Sequence, residues 1–381
     1  MITQELLISL VESGKTPVQA LEQLTAETAI SAKVYESEGV VLLSYDQIES
    51  PKTNPMVIEC RSLILNLEDF SVASRKFDRF FNAGEAPDTL VGFNLARAIA
   101  YEKADGSLIG FWFCKGTGRW EISTRGMAFA EGPHVMGGTF RDHILQALGV
   151  TEEQFQVVMN EFADPGITIV GEYIGPDNKI VTRYEAGAVV FTGVSYFGAA
   201  AVSDIVTLQK YAEFFSFEGF RVREPKVYPA QESLEAFISA ANELPNLEEG
   251  FVLYDPISNK RVKVKGATYL TAHRLRGNDP VPTRKNMLEL VLEGEVEEFI
   301  LYFPEWTEMV RSLESEIENF LRSLESVYAK ASGIREQKEF ALAVKDTPGS
   351  SYMFNARKLG CSVRHAFNVS PLTQKMKQFA V

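Results

Sequence analysis

The sequence predicts an α+β fold in two parts, with residues 1–278 rich in strands of antiparallel sheets and residues 279–381 built of helices. Three observations predict it. Short apolar and β-branched runs parted by turn residues recur between about residue 38 and Gly266, which is the pattern of strands in sheets. Beyond Asn278-Asp279-Pro280 the apolar residues fall instead at alternating spacings of three and four, the period of an amphipathic helix. The charge changes sign at the same place: residues 257–285 hold eight basic side chains (Lys260, Arg261, Lys263, Lys265, Arg274, Arg276, Arg284, Lys285) against Asp279, whereas residues 286–325 hold eleven glutamates against Arg311 and Arg322. That break sets the domain boundary near residue 278.

The elements follow in order. The opening MITQELLISLVESGKTPVQALEQL reads as two short amphipathic helices, because acids and polar residues interrupt its apolar positions. Then come VVLLSY, with SLILNL and SVASR parted by Glu68-Asp69, and SLIGFWF with WEISTRG around the turn Lys115-Gly116-Thr117-Gly118. RDHILQALG and TEEQFQVVMNEF read as helices, the second opening on a threonine cap with acids in its first turn. The nearly continuous apolar runs ITIVGEYIG and AGAVVFTGVSYFG suggest buried strands. A helix near SDIVTLQKYAEFF and the strands EEGFVLYD and RVKVKG complete the first part. In the second, Trp306, Val310, Leu313, Ile317, Leu321, Leu324 and Tyr328 form one apolar stripe.

With 45% hydrophobic and 23% charged residues among 381, the composition is that of an ordinary globular protein. A net charge of −13 opposes general adhesion to nucleic acid or membrane, so a polyanionic partner must be held by local basic patches. No run reaches the roughly 18 apolar residues of a membrane helix, and the N-terminus is not a signal peptide. Cys60, Cys114 and Cys361 are odd in number and far apart, which reads as buried thiols in a reducing cytoplasm rather than a disulfide framework or a zinc site. His134, His143, His273 and His365 show no metal spacing, and no phosphate-binding glycine loop is present.

The chemistry concentrates in YEKADGSLIG, residues 101–110. Lysine, any residue, aspartate, glycine should arise by chance about 0.1 times in a chain of this length. Alone the motif fits an exposed turn with Asp105-Gly106 at its tip as well as a reactive lysine. Lys263 and Lys265 lie two apart in VKVK and project from one face of a strand, with Val262 and Val264 on the other. Such a pair can hold a phosphate and lower the pKa of a nearby lysine, which at its usual value is protonated and inert. Glu172, in an apolar strand, needs a cation, hydroxyl or metal partner. Glu249, directly before Gly250, is a second carboxylate; two such groups beside a triphosphate suit Mg²⁺.

Taken in order, Lys103-Ala104-Asp105-Gly106-Ser107, Val170-Gly171-Glu172-Tyr173, Glu249-Gly250-Phe251-Val252 and Val262-Lys263-Val264-Lys265 resemble the motif series of the covalent nucleotidyltransferases: ATP-dependent DNA and RNA ligases and mRNA capping enzymes. ECRSLIL and SRKFDRFFNAGE resemble the upstream segment of the phage-type RNA ligase 1 family, the group containing phage T4 RNA ligase. The similarity spans about residues 40–270, and the helical tail, in place of the β-rich OB domain of DNA ligases and capping enzymes, follows the same family more loosely.

The resemblance implies an ATP-grasp-like nucleotidyltransferase domain at 1–278 and a helical RNA-specificity domain at 279–381. It makes Lys103 the nucleophile, with Lys263, Lys265, Glu172 and Glu249 as its catalytic company and the two glutamates as metal ligands. The nucleotide would meet Arg61, Arg79, Phe81, Glu102, Asp105, Gly106, Arg125, Gly250 and Tyr269, and Tyr45 also falls at a matching position. Arg125 stands where the family usually has lysine, which keeps the charge and alters the geometry. ATP and Mg²⁺, with Mn²⁺ as a substitute, would be the cofactors. The partner would be single-stranded or nicked RNA such as a tRNA anticodon loop, lying across residues 257–285 and Arg119 to Arg125. The expected protein is a cytoplasmic monomer, in the host cytoplasm if phage-encoded, that repairs RNA. A GTP-dependent capping-type guanylyltransferase and a non-catalytic RNA-binding adaptor are the alternatives.

Overall fold

The computed structural model describes residues 1–47, 49–134, 136–178, 180–270, 283–302 and 306–379. The chain divides into two compact units, one of Met1–Asp46 and Ser50–His273, the other of Gln47–Glu49 and Arg274–Val381. The expected boundary at Asn278-Asp279-Pro280, and with it Arg274 and Arg276, lies outside the described residues.

The first unit opens with the two expected helices, α1 (Ile2–Glu12) and α2 (Pro17–Thr28), the second closed at its start by a capping box between Thr16 and Gln19. Leu7, Leu21 and Leu24 pack with Val41, Leu43, Leu63 and Leu65 of a four-stranded antiparallel sheet. Its order is β1 (Ile30–Tyr35), β2 (Val40–Tyr45), β3 (Arg61–Asn66), β4 (Val72–Ser74), with a short helix α3 (Pro55–Glu59) leading into β3.

Two further five-stranded sheets follow. One takes β7 (Ser107–Cys114), β8 (Arg119–Thr124), β9 (Ile167–Ile174), β10 (Ala188–Tyr196) and β11 (Val222–Arg223), in the order β11-β10-β9-β7-β8. The other takes β5 (Phe81–Asn82), β6 (Ile99–Glu102), β12 (Val227–Tyr228), β13 (Gly250–Asp255) and β14 (Lys260–Lys265), in the order β12-β6-β13-β14-β5. Helices α4 (Phe140–Leu148), α5 (Glu152–Phe162) and α6 (Ile205–Phe217) share one core with β7 to β10, and α7 (Leu234–Asn242) packs on β13 and β14.

The two five-stranded sheets are mixed rather than purely antiparallel. β10 pairs with β11, and β14 with β5, in parallel. In both cases a two-residue edge strand is reached by a long connection, through α6 for β11, and such connections permit parallel pairing. Strands of two residues carry no period, so β5, β11 and β12 had no signal in the sequence.

The second unit is helical wherever it is described. It comprises α8 (Arg284–Leu292), α9 (Val296–Tyr302), α10 (Thr307–Ala331), α11 (Gln337–Val344), α12 (Ser350–Leu359), α13 (Val363–Asn368) and α14 (Leu372–Phe379). In α10 the stripe residues Val310, Leu313, Ile317, Leu321 and Leu324 are buried with Phe340, Tyr352 and Phe367, while Trp306 and Tyr328 are partly buried against them. Several of its glutamates are paired: Glu297 and Glu314 with Arg311, and Glu318 and Glu325 with Arg364. Cys60 and Cys114 are buried as expected, but Cys361 is only partly so. Among the described residues no helix is long and apolar enough to cross a membrane.

Candidate active site

Strands β6 and β7 are consecutive in the chain yet belong to different sheets. Lys103 to Gly106 make the crossing, so this segment sits where two sheets meet rather than at an exposed hairpin tip. Its register is fixed on one side by Lys103, whose backbone N–H donates to Gly250 O at 2.9 Å. On the other side the crossing packs against β9: a Cβ on Gly106 would stand 2.1 Å from Tyr173 O, so only glycine fits.

The Lys103 ammonium meets Glu249 Oε2 at 2.6 Å, and Lys265 Nζ lies 3.3 Å from Glu249 Oε1. Burial opposes ionisation of Glu249, but Lys103 and then Lys265 outweigh it and hold the carboxyl below its usual range. Glu249 reaches them because Gly250 takes φ +138, where a Cβ would stand 2.0 Å from Val264 O. Pairing of Gly250 with Lys265 across β13 and β14 sets the second lysine opposite.

Asp105 is engaged by the chain around it. It is buried, its Oδ2 accepts from the backbone N–H groups of Val181 and Thr182 at 2.8 Å, and its Oδ1 accepts from the Tyr269 hydroxyl at 2.8 Å. Its own N–H donates to the Tyr184 hydroxyl. It therefore organises the chain beneath Lys103.

Above Lys103 opens a cavity of about 400 Å³ lined by Arg61, Phe80, Lys103, Glu172, Arg261 and Lys263 among others. Phe80 is flanked by cations, Arg61 at 4.6 Å and Lys263 at 4.9 Å from its ring. Nη1 of Arg61 and Nη1 of Arg79 are buried, and neither has a hydrogen-bond partner among the described residues. An anion supplies what such donors lack. Glu172, on β9, keeps some contact with the cavity but is otherwise enclosed. Burial pushes its carboxyl up to about 7 against the pull of Lys103, and Glu249 adds to the rise.

A family model described as RNA ligase, of the phage T4 RNA ligase 1 type, matches residues 59–269. The chain belongs to this RNA ligase family. A protein of Autographa californica nuclear polyhedrosis virus, provisionally named a bifunctional polynucleotide kinase/RNA ligase, is 31% identical over 349 residues, which is 89% of this chain and 48% of that protein. The chain thus spans about half the length of the curated relative it matches. Solved structures of Naegleria gruberi RNA ligase are also similar. A variant with ATP and Mn is 14% identical, covering 52% of this chain and 57% of its own at a TM-score of 0.41. A structure with pyrophosphate is 15% identical, covering 46% and 51% at 0.37.

Within this RNA ligase family member the structure distributes the expected residues unevenly. Lys103, Lys263, Glu172, Arg61, Glu102, Gly106 and Arg125 line the cavity. Glu249 and Lys265 stand behind Lys103, and both Glu249 oxygens are engaged by lysines rather than presented to the cavity. Arg79 stacks on Tyr45 at 4.1 Å and on Phe81 at 5.2 Å, and Arg125 stands 5.2 Å from the Tyr45 ring. Phe81 is buried there, and its neighbour Phe80 faces the cavity instead. Glu102 is held by both Arg223 Nη atoms, at 2.7 and 2.8 Å.

The basic surface is smaller than the sequence suggests. Arg261 is buried, donating to Ala201 O and Ser203 Oγ and stacking on Phe77 and Tyr254. Arg119 is paired with Glu121 and Glu152. His134 and His143 stack on each other at 3.7 Å, and His143 meets Asp177. Sequence reasoning missed Phe80, Arg223 and Lys76. The alternation of strand faces across Phe80-Phe81 was the available signal for the first; nothing local marked the other two.

Proposed function

We propose that the protein is an ATP-dependent RNA ligase joining RNA 5′-phosphate and 3′-hydroxyl ends. The observation that carries the reading is Lys103, ion-paired to Glu249 and standing in the wall of a cavity that Arg61, Arg125, Arg261 and Lys263 also line. Family membership supports it independently.

In this reading Arg61 and Lys263 hold the ATP phosphates and stabilise charge that develops during attack. The proton leaves the Lys103 ammonium, and the amine attacks the α-phosphorus; the bond to the β-phosphate oxygen breaks and pyrophosphate departs. An RNA 5′-phosphate oxygen next displaces the lysine, breaking the P–N bond and moving AMP to the RNA. A 3′-hydroxyl then attacks that 5′-phosphorus, AMP leaves, and a phosphodiester remains. Covalent catalysis divides one difficult transfer into easier ones.

Among the described residues no group of three or more His, Cys, Asp or Glu is arranged around a metal. Glu172 alone faces the cavity as a carboxylate from the expected pair, which fits Mg²⁺ or Mn²⁺ held largely by phosphate and water. Such an ion supplies charge neutralisation to the phosphates when bound.

The first unit is read as an ATP-grasp-like adenylylation domain and the residues beyond 278 as an RNA-specificity module, with their glutamates turned from the RNA. Nicked RNA, such as a tRNA anticodon loop, is the inferred substrate, and the working form is inferred to be a cytoplasmic monomer. The test is incubation with Mg²⁺ and α-labelled ATP or GTP, alongside Lys103→Ala. Protein-bound label from ATP that withstands alkali, is released by acid and vanishes in the variant supports the reading. Label from GTP redirects it to capping chemistry, and no label from protein free of prior adenylylation overturns it.

A further inference from the structure

We infer that Lys76 is a positioning residue that sets Arg61 in the cavity by pinning a β-bulge at Ser62. β2 and β3 pair Leu43 with Leu63 but Ser44 with Arg61, so Ser62 is the extra residue of a bulge. A bulge beside a site turns the neighbouring side chain to a new direction. Ser62 takes φ 61, the left-handed region that residues other than glycine seldom occupy unless their surroundings hold them.

Two contacts hold it. Its hydroxyl donates to Thr124 O at 2.8 Å, and Lys76 Nζ donates to that hydroxyl at 2.9 Å while lying 3.5 Å from Ser62 O. Lys76 is completely buried, and among the described residues the charge that bears on it is Arg61, of the same sign. Room for it exists because residue 110 is glycine, where a Cβ would stand 2.6 Å from Lys76 Cε. Burial pushes the amine down to about 7. A buried amine without a counter-charge is unfavourable, and an apolar side chain would fill the space at lower cost. What the amine adds is its hold on Ser62. The residue before that bulge is Arg61, which lines the cavity and stacks on Phe80, its Nη1 without a hydrogen-bond partner among the described residues.

The inference rests on the reading of the cavity as the ATP site, and its tests separate the two. Lysyl–AMP formation is measured against ATP concentration for wild type, Lys76→Met, Arg61→Ala, the double variant, and Lys76→Met with Ser62→Gly. Lys76→Met raises the KM for ATP by about tenfold with little change in kcat, the split of a binding-geometry defect. The defect vanishes in the Arg61→Ala background, because both act through one group. Ser62→Gly restores wild-type KM, since glycine holds the bulge unaided. Full additivity with Arg61→Ala, or no rescue by Ser62→Gly, overturns the inference. Should the wild type take no label, the functional reading fails instead, and a crystal structure of Lys76→Met decides. Ser62 leaving the left-handed region with Arg61 leaving Phe80 upholds the inference; both unmoved overturns it.

Discussion

Lys103 Nζ stands 2.6 Å from Glu249 Oε2, and the other oxygen of that carboxylate faces Lys265 at 3.3 Å. One buried acid thus balances two lysines of the proposed reaction. Lys103→Ala abolishes lysyl–AMP formation, and Lys265→Ala slows it on the order of a hundredfold, the scale of losing one charge-stabilising group. Glu249→Gln leaves two lysines without their counter-charge, and breaking a buried pair from one side destabilises by roughly 3 kcal/mol. Single-turnover labelling and urea denaturation measure the two effects. Wild-type labelling by Lys103→Ala would contradict the assignment.

Glu172 gives the site its pH dependence. Burial raises its carboxyl from 4.5 to about 7 in the folded protein. Because the folded state binds this proton more tightly, the contribution of Glu172 to stability is present below about 4.5 and lost as pH rises toward 7. The ionised form is the one that serves a metal, so adenylylation rises with pH through the same region. Glu172→Gln removes both dependences and lowers the rate at every pH. A wild-type rate that is flat from pH 5.5 to 8 contradicts this.

How much of this was legible in the sequence depends on the range of the interaction. Lys103 and the Lys263–Lys265 pair announce themselves through local spacing, and the α10 stripe through its period. The Glu249–Lys103 pair joins positions 146 apart, so no local pattern reports that Glu249 serves lysines rather than facing the cavity. The counted basic patch misled for a related reason: Arg261 is formally a surface charge, but its guanidinium is enclosed by Phe77 and Tyr254. Lys76 was invisible because the residue that makes room for it, Gly110, lies far along the chain on β7.

The crossing at residues 103–106 depends on two features that carry no reactive group. Gly250→Ala forces a Cβ against Val264 O and breaks the register that places Glu249 and Lys265. Asp105→Ala takes the acceptor from the buried N–H groups of Val181 and Thr182. Each unsatisfied buried donor costs about 1–3 kcal/mol. Both variants therefore lose several degrees of Tm along with adenylylation, whereas Lys103→Ala, in which Glu249 keeps Lys265 as its partner, loses activity with a smaller loss of Tm. Calorimetry on the three proteins checks it, and unchanged melting of Asp105→Ala would show that the aspartate acts elsewhere.

Phe80 and Phe81 separate binding from packing within one dipeptide. Phe80 sits in the cavity between Arg61 and Lys263, and Phe81 is buried beneath Arg79 on a two-residue edge strand. Removing Phe80 strips the stacking surface from two cations, each contact being worth roughly 0.5–2 kcal/mol. Phe80→Leu accordingly raises the KM for ATP several-fold and leaves stability near wild type. Phe81→Ala creates a cavity and costs about 3 kcal/mol of stability, with a smaller effect on KM. Denaturation and labelling curves on the pair decide it. If Phe81→Ala carries the larger KM effect at unchanged stability, the nucleotide contact belongs to Phe81, as the sequence alone suggested.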